Sequence, residues 1–242
     1  MDGLLNLLFP DACILCSLPV SRLAERGICR TCWNKALQMR IDGPICPSCG
    51  LPFRTLDPSR DHLCGTCETR LPPYSGARAF GWYNAELSRI IQALKFGGRR
   101  DLAPQLAALL ASTFFEFWSA GDFDLIVPVP LHARRKRERG YNQAELLSRS
   151  LAHLAGLPSR NVLLRIRGTR PQVGLSDLER SRNLARAFRC ARGATIRGSR
   201  LLLVDDVMTT GSTVASAAGA LLEGGALRVS VLVLARAVAG IQ

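Results

Sequence analysis

Downstream of residue 76 the hydrophobic positions switch between two periods, one suited to strands and one to helices. Residues 77–83 read as a strand. Asn84 then stands where a helix N-cap is wanted, and Leu87, Ile90, Ile91 and Leu94 follow at helical spacing. A second helix starts near Asp101, a short buried strand covers 125–129, and a further helix covers 142–155. Residues 177–188 predict one more helix, 200–204 a strand, 213–223 a helix and 229–234 a last strand. Such alternation builds an α/β fold, a parallel sheet with helices on both faces.

Upstream the pattern differs. Leu4-Leu5-Asn6-Leu7-Leu8-Phe9-Pro10 is an apolar run too short to span a membrane, and it predicts a turn of helix docked on the main domain. Residues 51–62, with Pro52, Asp57, Pro58 and Asp61, predict a loop, and Leu71-Pro72-Pro73-Tyr74 a linker. The chain therefore divides into a small unit over residues 1–70 and a main domain over residues 76–242.

Cysteine dominates the small unit. Eight of the nine cysteines form four C-x-x-C pairs, Cys13/Cys16, Cys29/Cys32, Cys46/Cys49 and Cys64/Cys67, separated by 12, 13 and 14 residues. Each pair is a half-site whose two sulfurs can reach one ion, and these spacers suit a zinc ribbon, so eight sulfurs make two Cys₄ zinc sites. Tandem copies argue against a redox motif, which occurs once beside a βαβ unit. Sequential pairing of half-sites closes the shortest loops, and a crossed pairing is the alternative.

Composition adds that the chain is an ordinary globular one, 48% apolar and 21% charged. It has no run of about 18 apolar residues, and Met1-Asp2-Gly3 carries an acid where a secretory signal carries Lys or Arg, so a soluble cytoplasmic protein without a transmembrane segment is expected. Charge changes the picture more. Basic and acidic residues number 8 and 7 over 1–70, 5 and 5 over 71–129, 17 and 4 over 130–200, and 2 and 3 over 201–242. The whole net charge of +13 lies in one segment, and 29 of the 32 cations are Arg. Two Cys₄ zinc sites would lower the total to about +9. Guanidinium offers a fork of donors matched to phosphate oxygens, so the expected partner is anionic.

The most specific stretch runs from Leu201 to Thr213. An apolar strand leads into Asp205 and Asp206, then into Thr209, Thr210, Gly211, Ser212 and Thr213 at the start of a helix. Ligands of open α/β sheets bind at the carboxyl ends of strands, and hydroxyls with backbone N–H groups at a helix N-terminus favour a phosphate. The paired acids suit two sugar hydroxyls beside it. This stretch resembles the phosphoribosyl pyrophosphate (PRPP) signature of the type I phosphoribosyltransferases.

A second match lies in the basic segment. Val127-Pro128-Val129-Pro130-Leu131-His132, followed by Arg134-Arg135-Lys136-Arg137-Glu138-Arg139-Gly140-Tyr141-Asn142-Gln143, resembles the ComF family of competence-associated, phosphoribosyltransferase-like proteins. Leu94-Lys95-Phe96, then Gln172, Leu175, Glu179, Arg180, Asn183 and Phe188, and the cysteine-rich N-terminus extend the likeness over nearly the whole chain. The resemblance implies a type I phosphoribosyltransferase-like domain behind a double zinc ribbon. It implies PRPP with Mg²⁺ as ligand, held by Asp205, Asp206, the residues Thr209 to Thr213, Lys95, Arg135 and Arg139. It also implies single-stranded DNA handling in DNA uptake and natural transformation, with a competence-machinery protein as a partner.

The loop read over residues 131–140 can place donors near a pyrophosphate. Arg134, Arg135, Lys136, Arg137 and Arg139 exceed what one pyrophosphate needs, and the excess suits either a nucleic-acid backbone or a solvated surface. The alternative function is a working nucleobase phosphoribosyltransferase that releases pyrophosphate; the sequence leaves catalysis open. Tyr141 reads as a base stacker or a core residue, His132 as a loop ligand, His62 as a substitute zinc ligand or a structural residue, His153 as structural, and Cys190 as an ordinary or a lowered-pKa thiol.

Overall fold

The computed structural model describes residues 11–20, 27–53, 61–167 and 187–238. The expected docking turn at residues 4–10 lies outside them. In the first unit, β1 (Asp11–Ala12) pairs antiparallel with β2 (Pro19–Val20), and α1 (Arg30–Leu37) and α2 (Gly65–Thr69) each follow a cysteine, Cys29 and Cys64, at the N-cap. In the second, β3 (Ala77–Trp82) leads to α3 (Ala85–Phe96), capped as expected by the Asn84 side chain accepting from the Leu87 N–H. A 3₁₀ turn (Arg100–Leu102) precedes α4 (Ala103–Phe117), β4 (Leu125–Pro128), α5 (Ala133–Arg139) and α6 (Gln143–Ala155). The hairpin of β5 (Leu163–Arg165) and β6 (Phe188–Cys190), then β7 (Arg200–Met208), α7 (Ser212–Glu223) and β8 (Arg228–Arg236) complete it.

The main sheet is parallel in the order β3-β8-β7-β4. Along β7, Leu202 and Val204 face one side, where α3, α4 and α6 supply Leu87, Ile90, Leu106, Leu110, Phe114, Leu147 and Leu151. Leu201 and Leu203 face the other, against Val214, Ala217 and Leu221 of α7 and Phe188 of the hairpin. Period-two alternation thus divides one apolar strand between two cores.

The cysteine-rich unit enters both. Cys13 and Cys32, with Val20, Ile28 and Ala36, join the first core, whereas Cys46, Cys49, Cys64 and Cys67 join the second. Between the two groups the backbone lies antiparallel along β3. The Trp82 N–H donates to the Met39 carbonyl at 2.9 Å, the Ile41 N–H to that of Phe80 at 3.0 Å, and the Ala77 N–H to that of Ser48 at 2.9 Å. The approach is so close that a Cβ on Gly81 would lie 2.6 Å from the Met39 oxygen, and one on Gly50, itself at φ +65°, 2.5 Å from that of Ala77.

Three sequence expectations change. The 131–140 segment is largely a helix rather than a loop: His132 caps α5 by accepting from the Arg134 N–H at 3.4 Å, Gly140 at φ +78° ends it, and an Arg134–Glu138 pair at 2.8 Å joins successive turns. Ala, Arg, Lys and Glu are good helix formers, and that preference governs the segment despite its charge density. The helix expected over 177–188 falls outside the described residues except for its end, where Phe188 belongs to β6, opposite Arg165, because burial of Phe188 beside exposed Arg189 follows strand alternation. Finally, β7 continues past Val204 to Met208, since its pairing with β8 persists through Asp205–Val233 and Val207–Ala235.

The close approach at Gly81 gives a signed prediction. In metal-loaded protein, Gly81→Ala should lower the urea-unfolding free energy by about 1–3 kcal/mol, the usual cost of overpacking. Gly219→Ala, in α7 with open space around its added methyl, should raise it by about 0.5–1 kcal/mol.

Candidate phosphate site and metal centres

Extension of β7 sets the acid pair. Neighbouring strand residues point to opposite faces, so Asp205 and Asp206 meet different partners. Asp206 is 3% exposed and receives Lys95 Nζ, from the last turn of α3, on Oδ1 at 2.8 Å. Its other oxygen, Oδ2, is buried with no hydrogen-bond partner. Asp205 accepts from the Asp206 N–H at 2.9 Å. Burial first, then the Asp206 charge beside it, pushes the Asp205 carboxyl up to about 7, against the opposing pull of that N–H, Lys95 and Arg165.

Beyond the strand, Thr209 and Thr210 are exposed and Gly211 adopts φ +80° as the N-cap of α7. A Cβ there would lie 2.6 Å from Met208 Cε and 3.5 Å from the Tyr74 hydroxyl, so glycine lets the chain turn beneath both. Thr210 Oγ1 and Ser212 Oγ share a hydrogen bond at 2.8 Å, and Thr213 lies half-buried in the first turn. Two hydroxyls, the first-turn N–H groups, of which that of Ser212 reaches Thr210 Oγ1 at 3.5 Å, and the positive end of a helix dipole can hold a phosphate here.

On the α3 side, Lys95, Phe96, Gly98, Arg135, Glu138, Arg139 and Tyr141 enclose a cavity of about 460 Å³. Arg139 bonds Gln143 Oε1 and lies 4.7 Å over the Phe96 ring; burial lowers its pKa, while Asp206 and Asp205 oppose that shift. Lys95 and Arg139 thus reach the acids, and Arg135, itself exposed, lines the cavity beside them. Arg134, Lys136 and Arg137 are exposed, with Arg134 held to Glu138 and Lys136 to Glu145 at 3.5 Å. Tyr141 is a core residue, its hydroxyl donating to the Leu94 carbonyl and its ring lying 4.5 Å beneath the Arg100 guanidinium. Gln172, Leu175, Glu179, Arg180 and Asn183 lie outside the described residues.

Two neighbours of the site carried no functional assignment from sequence. Arg165, the last residue of β5, acts electrostatically on Asp205. Nothing in the sequence around it marks it, because its place is set by the pairing of β5 with β6. Tyr74, assigned to a linker, is buried between the phosphate loop and the second cysteine cluster, whose negative sulfurs add to burial in raising its pKa.

The metal centres are formed by Cys13, Cys16, Cys29 and Cys32 and by Cys46, Cys49, Cys64 and Cys67, each with sulfurs within 4.8 Å of one another. Pairing is sequential. Measured edges, Cys16–Cys29 and Cys49–Cys64, are 3.6 Å, and a tetrahedron with Zn–S of about 2.3 Å has edges of about 3.8 Å. All eight thiols are free, and N–H groups aim at the sulfurs: Cys29 at Cys13 (3.3 Å) and Cys64 at Cys46 (3.5 Å). Burial raises Cys13 and Cys46, but the backbone donors outweigh it and hold them at about 6 and about 7. Soft thiolates in this arrangement fit two structural zinc ions. His62 belongs to neither cluster and stacks on Phe53 at 3.9 Å. Cys190 donates to the Ala220 carbonyl at 3.3 Å, and burial followed by Glu223 raises its pKa.

The family model for a double zinc ribbon domain matches residues 4–68, and that for a phosphoribosyl transferase domain matches residues 106–241. The "DNA utilization protein YhgH" of Salmonella typhimurium is 38% identical over 231 residues, 94% of this chain and 97% of that protein. "Competence protein F" of Haemophilus influenzae is 34% identical, covering 89% and 93%, and "Competence protein ComFC" of Bacillus subtilis is 29% identical, covering 83% and 80%.

Metal analysis of the purified protein should give about two zinc ions per chain. Cys16→Ser, at the most exposed ligand, should lower the count to about one, leaving the second cluster filled. A wild-type count of one would overturn the two-site assignment.

Proposed function

The chain belongs to the phosphoribosyl transferase domain family and is similar to competence protein F, and on that premise we propose that it binds Mg²⁺–PRPP and single-stranded DNA in cytoplasmic DNA uptake or utilisation. The observation that carries the ligand is Asp206 Oδ2, a buried carboxylate oxygen without a partner, one residue from Asp205 and directly before a phosphate-binding turn. A desolvated carboxylate oxygen is costly unless a ligand donates to it, and the ribose hydroxyls are donors of the right kind.

In this reading Thr209 to Thr213 hold the 5-phosphate, Asp205 and Asp206 accept from the two ribose hydroxyls, and Arg135 and Arg139 receive the pyrophosphate. Lys95 limits the negative charge of the acid pair. Mg²⁺ brought in with the ligand beside Asp205 and Asp206 would supply positive charge to offset the pyrophosphate. Among the described residues the charged lining of the cavity is three cations and one carboxylate, a set that suits phosphate. Relatives named for competence and DNA utilisation, together with the basic segment over 130–200, support DNA as the second partner. Among the described residues no helix is long and apolar enough to cross a membrane.

Calorimetry with Mg²⁺ and PRPP tests the first part. Asp205→Asn plus Asp206→Asn should weaken binding by about a hundredfold or more, because two charge-assisted hydrogen bonds are lost, while zinc content stays unchanged. Wild-type affinity should climb as pH rises through about 7, where Asp205 loses its proton and becomes a full acceptor. Asp205→Asn alone should flatten that part of the profile, leaving only the titration of the ligand's phosphates.

Oligonucleotide binding tests the second part. Log affinity should fall against log salt by roughly 0.7 per phosphate contacted, and Arg135→Ala plus Arg137→Ala should flatten the slope by about one unit or more. Salt-independent binding would remove DNA from the role of α5.

A further inference from the structure

We propose that Phe96 is a stacking platform for an unpaired base of single-stranded DNA, an inference that rests on the DNA-binding reading above. Phe96 is the last residue of α3, whose Leu87, Ile90, Ile91 and Leu94 are fully buried, yet its own side chain is 75% exposed. The helix is anchored without it. Gly97 caps the end, and Phe96 lines the cavity together with Gly98, where an added Cβ would meet nothing within 4 Å.

One face of the ring is occupied by the Arg139 guanidinium, 4.7 Å from its centre, and Gln143 fixes that guanidinium in turn. Cation and ring hold each other in place, which lowers the entropy lost when something else stacks. Lys95, Arg135 and Arg139 surround it. An exposed aromatic beside three cations, two of them held by Asp206 and Gln143, repels a basic partner and offers an ordinary apolar partner little dry surface. An anionic polymer that carries its own flat rings satisfies both features at once. Bases within a duplex present their faces to each other, so the occupant is an unpaired base. Tyr141, the aromatic that sequence places beside these arginines, is buried and bonded to Leu94 and takes no part.

Base stacking and phosphate contact separate experimentally. Wild-type protein should bind a thymidine oligonucleotide about tenfold or more tighter than an abasic strand of equal length, since stacking one base on an aromatic side chain is worth about that much. Phe96→Ala and Phe96→Leu should bind both strands equally, at the weaker affinity and with the wild-type salt slope. Phe96→Trp should restore the preference, with added emission that the thymidine strand quenches and the abasic strand does not. Unchanged zinc content and melting temperature certify the fold of each variant. Salt-dependent binding of both strands with no wild-type preference, or a preference surviving in Phe96→Ala, would overturn the platform and leave DNA binding standing. Binding of neither strand would overturn both.

Discussion

A parallel sheet has no face that can meet water, and this constraint organises the protein. Leu201, Leu202, Leu203 and Val204 of β7 are all fully buried, so both faces need cover. Three helices supply one layer, and α7 with the β5–β6 hairpin supplies the other. Polar chemistry is left the ends of the strands. The acids stand where β7 leaves its apolar stretch, the phosphate turn follows, and the basic helix begins five residues beyond the end of β4.

The acid pair is an arrangement of unlike neighbours. Asp206 faces the helical layer and its Lys95; Asp205 lies under the influence of Arg165. The Asp206 charge raises the cost of ionising Asp205, and Lys95 and Arg165 offset that only in part. A site with one proton to lose near neutrality responds to any ligand that brings hydroxyl donors and a metal ion, because both favour the ionised form.

Much of this was legible because it obeys local rules. Asn84 and Asn142 announced their helices, Leu201 to Val204 their strand, and the four cysteine pairs their clusters, all through chemistry within a few residues. What stayed hidden depends on tertiary pairing. Phe188 is a strand residue because Arg165 lies opposite, β7 reaches Met208 because β8 continues beside it, and Tyr74 reaches the phosphate loop because the second cluster packs behind it. Charge density alone does not separate Arg134, Arg135, Lys136, Arg137 and Arg139; the resemblance set Arg135 and Arg139 apart as ligand residues, and these two line the cavity whereas the other three do not.

The strip of backbone through Met39 and Ile41 that lies along β3 has a consequence for how the protein is made. An unpaired strand edge is a template for other chains. Here the cover belongs to a segment strung between two metal clusters, with little fold of its own until they fill. Synthesis delivers that segment before the edge it protects. Zinc loading during translation would therefore decide between a soluble molecule and an inclusion body, and metal starvation would show first as lost solubility rather than as altered ligand affinity.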